Sequence, residues 1–486
     1  MAETSGFIKQ IADQDFQNKI GFHYIGIVCI IAWYYWLWFT PSIFHSIALT
    51  DNLVTYSWLT TLACSGLFFI AIPLVLGEKH HLDRFEHLHW IAGIVLAGTT
   101  LAYTMLPNTF SSITLSMVIY PILFSLGNAL LWLIWGEFYA VRRTGFSSWK
   151  VAPIFGIGIL GTQAISVILP SYVADVFIAL LPLCSCALLD YGRKNLYPDS
   201  KRPSLLPKKI RTKAFSSMIL MCCMMFCAGA ACYYVIAIIP LDVLPDNGYG
   251  YPVGICGGSV ILICMALYYN FVNKEGTIYR SIPWLLTACT IAIALYLSEN
   301  NSLQYPSFLL AVSLVGVLEV LLITFFGTLS TKGYVAPAMA FGLSSGCIRL
   351  GFFAGDSLAV AYEANEAILS SVIPQDTALI FICILAIIMI PMLRQELKLT
   401  SLMDGPNQVM ELSTVCAAIT SEFKLSARES EILGLIARGY TVDSLAKKLV
   451  ISPYTAQTHI RHIYSKMQIH KRSELLDYIN MLRSDL

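Results

Sequence analysis

The chain has 486 residues, of which 57% are hydrophobic and 13% charged, and its mean hydropathy is +0.68. So few charges cannot cover the surface of a soluble protein of this length, and the composition points to a membrane protein. The charges are unevenly spread: residues 1–398 carry 21 Lys+Arg and 21 Asp+Glu, whereas residues 421–486 carry 10 and 7. A long apolar body of zero net charge therefore precedes a short, water-soluble tail of net charge +3. Any basic surface for a polyanion belongs to the tail or to one loop.

The first 19 residues are polar and lack an apolar core, so no cleavable signal peptide is expected there. Apolar runs long enough to cross about 30 Å of hydrocarbon follow. They lie near 20–40, 53–76, 88–107, 113–135, 152–170, 172–190, 214–239, 251–272, 281–298, 307–328, 334–358 and 376–393. Lys and Arg stay cytoplasmic when short loops are threaded through a bilayer. The loops 41–52, 108–112, 171, 240–250, 299–306 and 359–375 contain neither residue, whereas the intervening ones carry Lys79, Arg84, Arg142, Arg143, Lys150, Lys274, Arg280 and Lys332. That alternation predicts twelve spans with both termini in the cytoplasm. Most of the 14 cysteines lie in or beside these runs, in no zinc or disulfide pattern, and no metal or cofactor is expected.

The loop 191–213 holds Arg193, Lys194, Lys201, Arg202, Lys208, Lys209, Arg211 and Lys213 against one acid, Asp199, and divides the spans six and six. It reads as a cytoplasmic loop on the lipid surface. A bundle of two six-span halves, about 20–190 and 214–393, resembles the major facilitator superfamily, which implies structural repeats around a midplane cavity. Gly77, Asp83 and Arg84 fit the family's pattern after the second span, but Phe85, Glu86 and His87 stand where it has Gly and basic residues.

Ionisable side chains within spans are costly and mark function or a buried partner, at about 2.5–3.5 kcal/mol each on insertion scales. Glu319 sits in span ten and Arg349 in span eleven, so the two are expected to pair; Asp356 lies two helical turns beyond Arg349 on the same face. The three form either a site for a polar small molecule or a pair that fixes helix register. Glu137 and Asp175, near span ends, are expected at the interface. The aromatic run Trp33 to Phe39 is expected to form a lipid-interface belt, and His80, His81, His87 and His89 to be solvated.

Residues 399–421 read as an irregular linker with one short amphipathic helix, broken by Gly405-Pro406. Four helices follow. Ser426-Ala427-Arg428-Glu429 is a capping box opening the first, which ends at Gly439; Thr441 caps the second. After the turn Val450-Ile451, Ser452 caps the third, with Pro453 at its first position. In that helix Ala456, Ile460, Ile463 and Met467 form an inward stripe opposite Gln457, Thr458 and Arg461; a fourth helix near 472–483 closes the core. Two helices joined by a short turn, the second with a polar basic face, have the form of a helix-turn-helix.

Residues 425–475 resemble the LuxR-type (NarL/FixJ) DNA-binding domain. The match lies in Leu425-Ser426-Ala427-Arg428-Glu429, Ala437-Arg438-Gly439, Leu445-Ala446-Lys447-Lys448-Leu449-Val450-Ile451-Ser452, Thr455-Ala456-Gln457-Thr458-His459, Lys466-Met467 and Arg472. The resemblance implies base contacts from Gln457, Thr458 and Arg461. It places phosphate contacts at Tyr454, Thr455, Lys466, Lys471 and Arg472, and implies a homodimer on double-stranded DNA. Gln457 replaces the family's Lys and suits an adenine edge, while Arg461 suits guanine.

The expected architecture is all-α: a membrane sensor bundle of twelve spans over 1–398, a linker at 399–421 and a small four-helix DNA-binding domain at 422–486. The corresponding function is a one-component transcriptional regulator in a prokaryotic cytoplasmic membrane, which senses a small molecule through its bundle. The rival is a secondary transporter of the major facilitator type carrying a regulatory tail. No phosphate loop, nucleophile elbow or phosphoacceptor domain supports an enzyme.

Overall fold

In hydrocarbon no water satisfies a backbone N–H or C=O, so an apolar run that crosses it folds as a helix. The computed structural model describes residues 25–39, 53–78, 81–105, 115–141, 148–196, 205–206, 208–239, 250–268, 281–298, 300–365, 372–404, 407–467, 469, 471–472, 474–476 and 478–479. Among these residues every regular element is helical.

Each apolar run falls on a helix: α1 (Ile25–Phe39), α2 (Leu53–Leu76), α3 (Leu88–Met105), α4 (Tyr120–Val141), α5 (Ser148–Ile168), α6 (Ser171–Tyr191), α7 (Lys208–Ile238), α8 (Gly250–Leu267), α9 (Ile282–Leu297), α10 (Asn301–Thr331), α11 (Pro337–Ala364) and α12 (Val372–Asp404). Eight of these, namely α2, α4, α6, α7, α8, α10, α11 and α12, hold stretches long and apolar enough to cross a membrane; α1, α3, α5 and α9 hold shorter apolar stretches. The basic segment 191–213 is less of a loop than expected, because α7 begins at Lys208 and takes four of its cations into its first turns. Lys79, His80, Arg142, Arg143, Lys274, Arg280 and most of the six lysine-free loops lie outside the described residues.

The chain divides into two compact units, Met1–Thr400 and Ser401–Leu486. In the first, α1 packs on α5, α2 on α4, and α3 on α4; α7 packs on α11, α8 on α10, and α9 on α10. These three contacts of the second set are those of the first shifted by six helices, whereas the packing of α6 on α1 and α3 has no comparable counterpart at α12 among the described residues. The halves meet where α2 lies on α11 and α5 on α8. Small residues permit those contacts: a Cβ on Gly342 or Gly346 of α11 would run into Phe69, Pro73 and Ile70 of α2, and one on Gly351 or Gly355 into the α7 backbone at Phe226 and Ala230.

The second unit contains α13 (Asn407–Glu422), α14 (Ala427–Ala437), α15 (Val442–Leu449) and α16 (Pro453–Met467). The expected linker 399–421 is therefore mostly helical, since α12 runs to Asp404 and α13 follows; Gly405 and Pro406 lie outside the described residues. The reason is amphipathic packing: Leu412, Val415, Cys416 and Ile419 share a helical face and join the core of Ile432, Leu433, Ile436, Leu445, Ile460 and Ile463. The expected fourth helix near 472–483 lies partly outside the described residues, but its Leu475 and Ile479 are buried in that core.

The expected punctuation is present. Glu429 N–H donates to Ser426 Oγ at 3.3 Å while Ser426 N–H donates to Glu429 Oε2 at 2.7 Å. Thr441 Oγ1 accepts from Ser444 N–H at 3.4 Å, and Ser452 Oγ from Thr455 N–H at 3.0 Å. Gly439 ends the first helix at φ +88°, a conformation open to glycine. In the turn between α15 and α16, Val450 adopts φ 54° and ψ 47°, which strains a β-branched residue. Its side chain is 91% exposed and gains little from packing. Val450→Asn is therefore expected to stabilise the tail by about 1 kcal/mol. Slower native-state hydrogen exchange in α15 and α16 of the full-length protein checks this; unchanged or faster exchange contradicts it.

Candidate nucleic-acid interface and intramembrane charge site

A helix reads a groove only if one face is fixed to a core and the other is free. Ala456, Ile460, Ile463 and Met467 bury one face of α16, and the opposite face exposes Gln457 and Arg461, four residues or about 6 Å apart. Thr458 is half-buried, and its hydroxyl donates to the Tyr454 carbonyl at 3.0 Å. Tyr454 is 79% exposed at the start of the helix; Thr455 and Lys471 are exposed and Arg472 half-buried.

Lys466, expected at phosphate, also makes contacts within the domain. Its ammonium donates to Glu429 Oε2 at 2.6 Å and to the Lys424 carbonyl at 3.2 Å, which ties the end of α16 to the capping box of α14. The Lys466 ammonium, helped by the Ser426 N–H, holds the Glu429 carboxyl down from the ordinary 4.5 to about 2. A carboxylate with a depressed folded pKa contributes stability above its unfolded pKa and loses it as pH falls through the folded value. The tail is expected to lose stability between about pH 4.5 and 2. Acid titration of Glu429→Gln, followed by tail-specific hydrogen exchange, checks this: the variant should be weaker at neutral pH and lack that component. An unchanged acid profile contradicts it.

In the bundle, α10 and α11 bring together the expected pair: Arg349 Nη2 lies 3.2 Å from Glu319 Oε1, with both residues buried. Two neighbours were not anticipated. Tyr35 donates its hydroxyl to Glu319 Oε2 at 3.2 Å, and the Arg349 guanidinium lies 3.9 Å from the centre of the Tyr34 ring. Asp356 is not part of the pair; the Trp58 indole N–H of α2 donates to its Oδ2 at 2.6 Å.

These contacts correct the expected aromatic belt. Trp33 to Trp38 are all buried, Trp33 and Trp36 completely; Trp36 and Trp38 meet Phe177 and Trp58 of the first half, while Tyr34 and Tyr35 meet Arg349 and Glu319 of the second. A run that is apolar all round gives no signal of which side meets lipid, so only the packing reveals it. Residues near helix ends are corrected as well. Glu137 is buried, accepts from the Leu82 N–H at 3.2 Å and lies 3.8 Å from His81 Nδ1. Asp175 is also buried, rather than interfacial. His89 is buried with its Nε2 2.9 Å from Asp190, which also accepts from the Trp90 indole at 2.7 Å. His87 is exposed as expected, and His80 lies outside the described residues. Glu137 and His89 turn inward because a neighbouring element offers each a partner.

Comparison with known proteins bears on the tail alone. Residues 424–479 match the family model described as bacterial regulatory proteins, luxR family. Over 85 residues, 17% of this chain, the sequence is 40% identical to the oxygen regulatory protein NreC of Staphylococcus aureus (strain bovine RF122 / ET3-1) and covers 38% of it. Over 63 residues it is 44% identical to NreC of Staphylococcus aureus (strain JH9), covering 13% of this chain and 29% of that one. The chain thus spans well under half the length of these curated relatives. Residues 424–479 form a LuxR-type helix-turn-helix domain.

Proposed function

We propose that this protein is a membrane-anchored, one-component transcriptional regulator that senses a small molecule through its transmembrane bundle and binds DNA with its C-terminal helix-turn-helix. The observation that carries it is the presence, in one chain, of a LuxR-type domain with Gln457 and Arg461 free on its recognition helix and a set of long apolar helices enclosing Glu319, Arg349 and Asp356. In this reading the twelve helices α1 to α12 all span a prokaryotic cytoplasmic membrane, with both ends in the cytoplasm. The three helix contacts that recur after a shift of six helices support a bundle of the major facilitator type.

Gln457, Thr458 and Arg461 contact base edges, and Tyr454, Thr455, Lys466, Lys471 and Arg472 contact phosphates, in a homodimer on two half-sites. Ligand acts by binding one arrangement of the six-helix halves more tightly than another, because a ligand indifferent to both shifts nothing. Glu319 and Arg349 join α10 to α11, and Tyr34 and Tyr35 join both to α1 across the halves, so this cluster responds to their separation.

The test is a reporter driven by a bound promoter, assayed with Glu319→Gln beside uptake measurements on the same cells. A sensor gives altered induction and no uptake. Uptake that Glu319→Gln abolishes, with DNA binding intact, contradicts this function and identifies a carrier with a regulatory tail.

A further inference from the structure

Among the described residues, one buried carboxylate at the centre of the bundle has no charged partner. Glu319 and Arg349 neutralise one another, while Asp356, 6% exposed, is bonded only by a neutral indole N–H. A buried carboxylate without a counter-charge is costly, so the site favours a positive charge beside it, as a proton on the carboxylate or as a bound cation. The walls around Trp58 are aromatic. Phe39 lies 5.2 Å from its ring centre and Tyr233 stacks on it at 6.0 Å, while Tyr251 stacks on Phe39 at 5.1 Å. Aromatic faces are negative and attract cations, and cages of them recognise alkylammonium groups.

We propose that this box binds an organic ammonium ion, with Asp356 as its counter-ion and Phe39, Trp58, Tyr233 and Tyr251 as its walls. The assignment rests on the reading of the bundle as a ligand sensor and names the class of ligand. Phe39 and Trp58 come from α1 and α2, whereas Tyr233, Tyr251 and Asp356 come from α7, α8 and α11, so the cation bridges the two halves. The void beside this box, lined by Phe39, Tyr233 and Tyr251 together with Tyr35 and aliphatic side chains but not by Trp58 or Asp356, measures about 10 Å³, room for a single water. An ammonium compound therefore enters only when the halves part, and its binding favours the parted arrangement.

The experiment uses the full-length protein in lipid nanodiscs, titrated calorimetrically with choline and with phenethylammonium. Each is paired with an uncharged analogue, dimethylbutanol and phenylethanol. At least one ammonium compound should bind saturably, and its analogue about ten-fold more weakly or worse. Asp356→Asn should weaken the ammonium by a similar factor. Tyr233→Leu should weaken it several-fold, and Tyr233→Phe, which keeps the ring, should not. If Asp356→Asn fails to fold, the charged and uncharged compounds on the native chain still decide. Absence of binding by both ammonium compounds, equal binding of an uncharged analogue, or indifference to a folded Asp356→Asn overturns the assignment. The two readings fail separately. A reporter response that Glu319→Gln alters, with neither ammonium bound, leaves sensing in place and removes the ammonium. A reporter indifferent to every bundle variant removes sensing.

Discussion

Arg349→Met is expected to cost the bundle about 3–5 kcal/mol, because it leaves the Glu319 carboxylate buried with only the Tyr35 hydroxyl to satisfy it. Glu319→Leu alone should be of similar severity, since it leaves the guanidinium against the Tyr34 ring with no anion. The double variant Glu319→Leu/Arg349→Met removes both charges. It should recover most of the loss, since replacing both members of a buried pair by apolar groups is often neutral. Unfolding of the purified protein by a denaturing detergent measures all three. Single variants costing less than about 1 kcal/mol would show that water reaches the pair. The double variant also separates the two roles open to the pair. A folded protein whose reporter no longer responds places the pair in the ligand-responsive machinery, whereas a normal response reduces it to a device for helix register.

The second large effect lies in the tail. Arg461→Ala is expected to cost about 1–3 kcal/mol per half-site, hence about 2–6 kcal/mol for a dimer, and to relax sequence preference at the position it reads. Gln457→Ala should relax a different position. Lys471→Ala and Arg472→Ala should instead weaken all sequences alike and lower the salt dependence by about one unit per contact. Binding measured on randomised sites at several salt concentrations distinguishes these classes. A uniform loss for Arg461→Ala would move that residue from base to phosphate. Lys466→Met should also lower the stability of the tail, because its ammonium bonds Glu429 and Lys424.

The tail was the most legible part of the sequence. Its caps are local signals, so Ser426, Glu429, Thr441, Ser452 and Gly439 could be placed from spacing alone. The helices of the bundle were legible for a similar reason, because a run of apolar residues has one way to satisfy its backbone in lipid. The Glu319 and Arg349 contact followed from cost: two opposite charges on consecutive apolar helices have few other partners.

Long-range contacts were illegible. Lys466 and Glu429 are 37 residues apart, and Trp58 and Asp356 are 298 apart, and nothing in the spacing of either residue announces the other. The orientation of Trp33 to Trp38 was hidden because an interior wall and a lipid interface both favour aromatic residues. The short amphipathic helix expected in the linker corresponds to α13, but its extent was hidden because a mixed polar sequence beside Gly-Pro reads as irregular until its apolar face finds the core.

The most direct test of transcriptional regulation by this chain is a genome-wide map of the full-length protein in its own cells, with Arg461→Ala as the comparison. Discrete peaks beside a small set of genes, lost in the variant while the protein stays in the membrane fraction, are the predicted result. Absence of peaks across growth conditions, or peaks that Arg461→Ala leaves unchanged, would contradict it.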